Sequence, residues 1–468
     1  MGLLGDRLVN LSKKGVEKMR TIAAISTPAG VGGIGIIRIS GEEALNILQK
    51  VFKPIRNAEY QSYHMRFGYL VDEEANVLDQ ALVSYFKAPK TYTGEDICEI
   101  NCHGGTLSTK KVLELVLRNG ATLAEPGEFT KRAFLNGKMD LTQAEAVIDL
   151  INSKSEKENK ASLKQLEGVL GNKIRSIKAS MVDLLVDIEA NIDYPEYDIE
   201  EVRREKMLGI LIKNVEELEK LEQSFHSGKI LREGVLTAII GRPNVGKSSL
   251  LNTLVKEERA IVTEVAGTTR DTIEEYITIK GIPLKIVDTA GIHKTSDIVE
   301  EIGVNKSMKV LENADLVLMM LDATQNLSSE DQKLLDRIQT KNHLIIINKI
   351  DIGKSIRKEM FPEDNVIEIS AKTLEGMEQL ENKIEEMFSV SNMEVDHGLI
   401  VTNVRHQTLI SKAKNGIQKA IESIQSGIPI DMISIDLQDA IQNLGEMIGE
   451  SISEDVVKGI FAKFCVGK

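Results

Sequence analysis

GVLTAIIGRPNVGKSSLLNTLV, residues 234–255, decides how the chain is read. An apolar run leads into Gly241, and Gly246, Lys247 and Ser248 follow at the spacing G-x-x-x-x-G-K-[ST]. The spacing has a physical basis. Glycines let backbone N–H groups approach a phosphate, the lysine supplies a point charge to the β and γ oxygens, and the serine hydroxyl ligates Mg²⁺. Asn244, Val245 and Ser249 line the same turn, and the helix that opens there adds its positive end. Lys247 is therefore both a binding and a catalytic candidate, and Ser248 a metal ligand.

Downstream, LIIINKID (344–351) places Asn348, Lys349 and Asp351 at the end of an apolar strand. A carboxylate there accepts both N–H groups of a guanine edge, which adenine cannot offer. A helix N-cap is the plainer use of such an aspartate. Ser370, Ala371 and Lys372 in ISAKT suit a loop against the base. In this order the constellation favours GTP over ATP. Between these landmarks lie VTEVAGTTRD (262–271) and DTAGIH (288–293). Asp288, Thr289, Ala290 and Gly291 read as the loop that senses a γ-phosphate. Thr269, with Thr268 beside it, reads as the threonine that closes over Mg²⁺. Arg270 is a candidate arginine finger, although a solvated or ion-paired arginine explains it more simply. Ile292 stands where many nucleotide switches carry a glutamine that orients water. If this chain hydrolyses a nucleotide, another group does that work.

Short apolar strands alternate with helical stretches from Gly234 to about Met387, the pattern of a doubly wound α/β domain. On either side the spacing turns helical: LTQAEAVIDLINSKSEKENK and the residues that follow, about 201–229, and DLQDAIQNLGEMIGESISEDVVKGIFAKF. TIAAISTPAGVGGIGIIR (21–38) reads as strand, Gly-rich turn and strand, with further β/α alternation to about residue 136. The expected fold is α/β plus all-α: an N-terminal α/β domain over 20–138, and a helical domain (139–232 and 391–468) interrupted by an inserted doubly wound P-loop domain (233–390). Four domains in a row is the plainer alternative.

A net charge of −13 argues against a surface that attracts nucleic acid everywhere, but not against one basic patch. Three cysteines, an odd and sparse count, point to a reducing compartment. The sequence holds no run of ~18 apolar residues, so no membrane insertion is expected. Residues 1–20 lack a signal-peptide core, and Asp6 breaks the myristoylation pattern despite Gly2. A cytoplasmic protein is expected.

Taken together, GRPNVGKSSLLN, AGTTRD, DTAGI, NKID, TPAGVGGIGIIRISG, YTGEDICEINCHGG, EPGEFTKRAFLNGKMDLTQAEA and the terminal FCVGK resemble the MnmE (TrmE) family, from about residue 20 to 468 and in order. The resemblance implies a folate-binding, dimer-forming N-terminal domain, a two-segment helical domain and an inserted Ras-like G domain. It implies a GTPase that acts with an FAD-dependent partner, MnmG (GidA), in a heterotetramer or larger complex. The pair would install an aminomethyl or carboxymethylaminomethyl group at C5 of the wobble uridine of certain tRNAs. The one-carbon unit would come from 5-formyltetrahydrofolate or a related tetrahydrofolate, and FAD would be held by the partner alone. For hydrolysis it implies K⁺ where other GTPases use an arginine finger. Asn244 matches the potassium ligand, and Thr263, Val265 and Thr268 match the loop that completes the shell; Glu264, Ala266 and Gly267 join the nucleotide set with them. Glu300 in DIVEEIG matches the acid that positions water, which would answer the question raised by Ile292. Arg38, Glu99, Lys138 and Lys468 match the folate contacts. Residues 1–19 have no counterpart, and stand as an N-terminal extension with Met19 as an alternative start.

Weaker signals have plainer explanations. Cys98, Cys102 and His103 have unusual spacing for zinc, and strand packing explains them. Cys465 mimics a prenylation box that Gly467 and Lys468 break. In the family it belongs to the terminal motif, where a redox or nucleophilic role stands beside that of a structural thiol. Two other functions compete: a GTP-gated scaffold, and a ribosome-assembly GTPase of the Era/Der type. The latter calls for an appended basic RNA-binding domain, and no such segment stands out.

Overall fold

The computed structural model describes residues 20–193, 200–257, 275–288, 311–361, 364–388 and 399–468. Two compact units emerge: Met1–Ile148 with Leu166–Leu211 and Asn415–Lys468, and Asp149–Gln165 with Ile212–Lys414.

The first unit is built on β1 (Ile22–Ile25), β2 (Ile34–Ser40), α1 (Ala44–Val51), β3 (Phe52–Pro54), β4 (Met65–Val71), β5 (Val77–Phe86), β6 (Ile97–His103), α2 (Thr106–Arg118) and β7 (Thr122–Leu123). Its sheet runs β3-β4-β5-β6-β2-β1-β7. Side chains alternate across a strand. Ile37 and Ile39 of β2 and Cys98, Ile100 and Cys102 of β6 therefore share one face, and pack with Ile47, Leu48 and Val51 of α1 and Val112 and Val116 of α2. Both cysteines are strand-core thiols. Burial pushes Cys98 up and lifts Cys102 to about 11, so neither supplies thiolate near neutrality. The opposite face carries Arg38 and Glu99, which lie directly across from each other in the β2–β6 register.

α3 (Glu128–Leu135) and α4 (Leu141–Asn152) lead through α5 (Glu156–Leu166) to α6 (Val169–Asp193). In α6, Leu170, Ile174, Ile177, Met181, Leu184 and Ile188 are buried at alternating four- and three-residue steps, one stripe of a helix. α7 (Glu200–Glu233) follows.

The second unit centres on β8 (Val235–Ile240), α8 (Lys247–Glu257), β9 (Glu275–Ile279), β10 (Ile282–Asp288), β11 (Leu316–Asp322), α9 (Ser329–Ile338), β12 (His343–Asn348), β13 (Val366–Glu368) and α10 (Met377–Met387). The strand order is β13-β12-β11-β8-β10-β9, all parallel except β9. β11 and β12 are buried at every position, as strands covered on both faces must be. Leu250 and Leu254 of α8 and Leu380 and Ile384 of α10 fill one side, and Leu335 and Ile338 of α9 the other. α11 (Val404–Gln425), α12 (Ile430–Ile448) and α13 (Glu454–Phe461) complete the chain. α12 and α13 belong to the first unit, where α12 presents Ile433, Leu437, Ala440, Leu444 and Met447 in a stripe like that of α6 and packs on it.

Candidate active site

The inward crevice lies where strand order reverses, at the carboxyl ends of β8 and β11, the place where open α/β sheets bind ligands. The loop after β8 is shaped by two glycines. Gly241 has φ +141°, and a Cβ there would sit 2.4 Å from the Met320 carbonyl. Gly246 has φ +104°, and a Cβ would sit 2.3 Å from Asn348 Nδ2. Between them Asn244 adopts φ +63°, a left-handed conformation that asparagine tolerates better than most residues. Lys247 opens α8 and donates from Nζ to the carbonyls of Gly241 (2.7 Å) and Arg242 (2.8 Å), so its charge lies across the loop. Ser248 and Ser249 are exposed in the first turn of α8.

The second constellation locks onto the first. Asn348 Nδ2 donates to the Val245 carbonyl at 2.9 Å, while its Oδ1 accepts from the Ala371 N–H at 3.0 Å. Lys349, at φ +70°, donates from Nζ to the Asn244 carbonyl and to Asp322 Oδ2, each at 2.7 Å. Ser370 Oγ donates to Asp351 Oδ1 at 2.8 Å, which turns an exposed carboxylate toward the loop that carries Ala371 and Lys372. The structure thus brings together Asn244, Val245, Gly246, Lys247, Asn348, Lys349, Asp351, Ser370 and Ala371. Asp322 was not singled out from sequence. Burial pulls its carboxyl upward, but hydrogen bonds from Lys349 and Thr324 outweigh that and hold it below the usual range. Its signal was available: an acid that ends the otherwise apolar strand LVLMMLD. Thr263, Glu264, Val265, Ala266, Gly267, Thr268, Thr269, Arg270, Thr289, Ala290, Gly291 and Glu300 lie outside the described residues.

A second candidate site sits on the first unit. A cavity of about 300 Å³ is lined by Arg38, Tyr63, Phe86, Lys90, Thr91, Tyr92, Ile97 and Glu99. Arg38 donates from Nε to Glu99 Oε1 at 2.9 Å, and its guanidinium lies 5.9 Å from the Tyr92 ring centre and 5.8 Å from that of Phe129. The Tyr92 hydroxyl pairs with Thr130 Oγ1 at 2.8 Å, which fixes the ring. Lys138 donates to the Pro89 carbonyl at 2.9 Å, beside the wall formed by Lys90. Lys468 comes within electrostatic range of Arg38 and Glu99. Burial and the Arg38 charge lower its pKa, opposed by Glu99 and Cys465.

Lys468 reaches this place because the FCVGK stretch docks on β1. Gly467 has φ +93°, and a Cβ there would meet the Ile25 carbonyl at 2.4 Å. Ser26 Oγ donates to the Gly467 carbonyl at 3.2 Å, and the Gly127 N–H to the Cys465 carbonyl at 3.3 Å. Phe461 and Phe464 are buried against Leu141 and Ala144 of α4. Tyr63 and Tyr92 as pocket walls were missed from sequence, because nothing in their spacing aims a ring at a cavity.

Two family models match the chain: the GTP-binding protein TrmE N-terminus over residues 21–138, and the MnmE helical domain over residues 141–465. Curated relatives called tRNA modification GTPase MnmE align along nearly the whole length. That of Thermoanaerobacter pseudethanolicus is 49% identical over 96% of this chain and 99% of its own. The Acetivibrio thermocellus protein is 49% identical over 96% and 100%, and the Lactobacillus gasseri protein 46% identical over 96% and 98%. Among solved structures, the G domain of the T. maritima FeoB iron transporter is 28% identical, covering 33% of this chain and 98% of that one, with a TM-score of 0.26. With a phosphate loop clamped by the N-K-x-D residues on a parallel sheet, and with family models and relatives that span both flanking regions, the chain belongs to the MnmE family of tRNA modification GTPases.

Proposed function

We propose that the chain hydrolyses GTP under potassium activation, and that this hydrolysis gates modification of the wobble uridine of tRNA together with an FAD-dependent MnmG (GidA) partner. One observation carries the nucleotide reading. Asn348 and Lys349 hold the phosphate loop by its own carbonyls while Ser370 orients Asp351, so the guanine-selecting acid and the phosphate cradle form one rigid piece. Ser248, exposed at the first turn of α8, suits a Mg²⁺ ligand, with Thr269 as its companion. Asn244, exposed and held at φ +63° by the Lys349 bond to its carbonyl, suits a potassium ligand with Thr263, Val265 and Thr268. When bound, the two cations would supply positive charge that offsets the charge developing on the phosphate oxygens. Lys247 adds a fixed charge to the same oxygens, and Glu300 is assigned to orient water, the task that Ile292 cannot perform. Arg270 and Cys465 are secondary candidates.

The cavity of the first unit fits a flat heteroaromatic ring with an anionic tail. It has aromatic walls in Tyr63, Phe86 and Tyr92, a carboxylate in Glu99 and cations in Arg38 and Lys90, with Lys468 within electrostatic range of Arg38 and Glu99. A tetrahydrofolate such as 5-formyltetrahydrofolate is the proposed occupant, with Lys138 at the rim. Met65, Phe67 and Leu82, all at least 42% exposed and with Phe67 directly opposite Leu82, support a homodimer through this unit. The proposed domains are residues 20–138, 139–232 with 391–468, and 233–390. A cytoplasmic setting accords with three free cysteines, and no described helix is long and apolar enough to cross a membrane.

GTP turnover measured in potassium against sodium chloride, at equal ionic strength, tests the hydrolytic mechanism. Faster turnover in potassium is expected. Equal rates would remove the cation mechanism and leave Arg270 as the next candidate.

A further inference from the structure

The phosphate loop is also anchored from outside itself. Arg242 Nε donates to Asp331 Oδ1 at 3.0 Å, and the Asp331 side chain is fully buried. Asp331 lies in the first turn of α9, whose N-cap is Ser328. Its Oδ2 accepts the Ser328 N–H at 3.0 Å and the Ser328 hydroxyl at 2.8 Å. A capping box requires only the serine–aspartate exchange, and exposed acids perform it in ordinary helices. Complete burial of this carboxylate is costly unless its remaining acceptor capacity is filled by a cation, and Arg242 fills it.

The arginine that does so sits one residue past Gly241. Its own carbonyl accepts Lys247 Nζ at 2.8 Å, and two residues later the Asn244 carbonyl accepts Lys349 Nζ at 2.7 Å. The segment 242–244 is thus held through a side chain on one flank and through its carbonyls on the other. Without the side-chain tether, the Arg242 end would be held by its carbonyl alone, free to pivot about that one bond, and the N–H groups aimed at a phosphate would lose part of that aim.

We propose that Arg242 and Asp331 form a positioning pair for nucleotide binding, in which α9 sets the pose of the phosphate loop. Neither residue touches the nucleotide. The inference rests on reading this loop as the GTP phosphate site.

The test is titration of fluorescent mant-GDP and mant-GppNHp into the full chain, as wild type, Arg242→Met, Arg242→Lys and Ser328→Ala, with thermal midpoints measured in parallel. Methionine keeps the stem and removes the donor, and is expected to weaken both nucleotides about tenfold or more. Lysine keeps a charge without the planar Nε and should recover part of that loss. Ser328→Ala breaks the cap but spares the ion pair, so it should lower the thermal midpoint while affinity stays within about twofold. In turnover, Arg242→Met should raise KM more than it lowers kcat. Wild-type affinity in Arg242→Met overturns the proposal, as does a loss in Ser328→Ala equal to that in Arg242→Met. If Arg242→Met does not fold, wild-type affinity in Arg242→Lys overturns it. Failure of the wild type to bind either analogue would refute the phosphate-site reading itself and this proposal with it.

Discussion

Gly467→Ala is the substitution on which the docking of FCVGK turns. At φ +93° an L-residue costs about 1–2 kcal/mol before any contact is considered. The added Cβ would also lie 2.4 Å from the Ile25 carbonyl and 2.9 Å from the Ser26 Cα, both backbone atoms. Ile25 is the last residue of β1, held in antiparallel register opposite Ile37 of β2, so its backbone resists displacement. The terminal residues must lift instead, which breaks the Ser26–Gly467 hydrogen bond, worth about 1 kcal/mol. Lys468 then leaves the neighbourhood of Arg38 and Glu99. A charged hydrogen bond to an anionic ligand contributes about 1.5–3 kcal/mol, so affinity for 5-formyltetrahydrofolate should fall roughly tenfold to a hundredfold. Calorimetric titration of the full-length protein measures this, and mant-GDP affinity should stay within about twofold because the nucleotide site is built from other residues. Lys468→Met should reproduce most of the loss. A Gly467→Ala protein that binds the folate as tightly as wild type would refute the reasoning, and so would a loss that Lys468→Met does not share.

Four further outcomes are expected. Asp351→Asn removes the acceptor for two guanine donors while Ser370 can still hold the side chain; GDP affinity should drop roughly a hundredfold or more, with xanthosine diphosphate preferred in competition. Glu158 is 4% exposed, and burial, only partly offset by the Lys154 and Ser155 N–H groups and the Lys154 charge, lifts its carboxyl to about 7, with Asp149 adding to the rise. The folded state therefore binds more protons than the unfolded state between the ordinary carboxylate range and neutrality. Stability present at lower pH is lost as pH rises through about 7, by up to roughly 3 kcal/mol, and Glu158→Gln should flatten denaturation midpoints between about pH 5 and 8. Arg132, with a side chain 5% exposed, binds Glu95, Glu128 and the Arg20 carbonyl; Arg132→Met takes the cation from two half-buried acids and should cost about 1.5–3 kcal/mol in urea unfolding. Phe67→Asp places a charge on the exposed face opposite Leu82; light scattering is expected to report a dimer for the wild type, as proposed, and a monomer for the variant.

How much of this was legible in the sequence varied with the range of the interaction. Local pattern and family motif carried the fold class: strands as short apolar runs, α6 and α12 at helical period, and the phosphate loop at fixed spacing. These signals depend on backbone geometry that neighbouring residues impose on one another. Gly241 and Gly246 were legible for the same reason, although what makes them obligatory, the Met320 carbonyl and the Asn348 amide, is distant in the chain. Lys349 was named as a base-side residue, but its bond to Asp322 arises only when β11 and β12 lie in parallel register with Asp322 beside Asn348.

Composition, periodicity and motif spacing by themselves thus determined that a phosphate-binding α/β domain lies between helical segments, and which residues carry its motifs. Only tertiary structure decided which distant groups hold those motifs in place. Asp331 meets Arg242 across 89 residues, and Gly467 meets Ser26 across 441. The physical reason is that a side chain's type and spacing restrict its own φ/ψ and the face it presents, whereas its partner, its desolvation and hence its charge state are set by whatever the packed chain brings alongside.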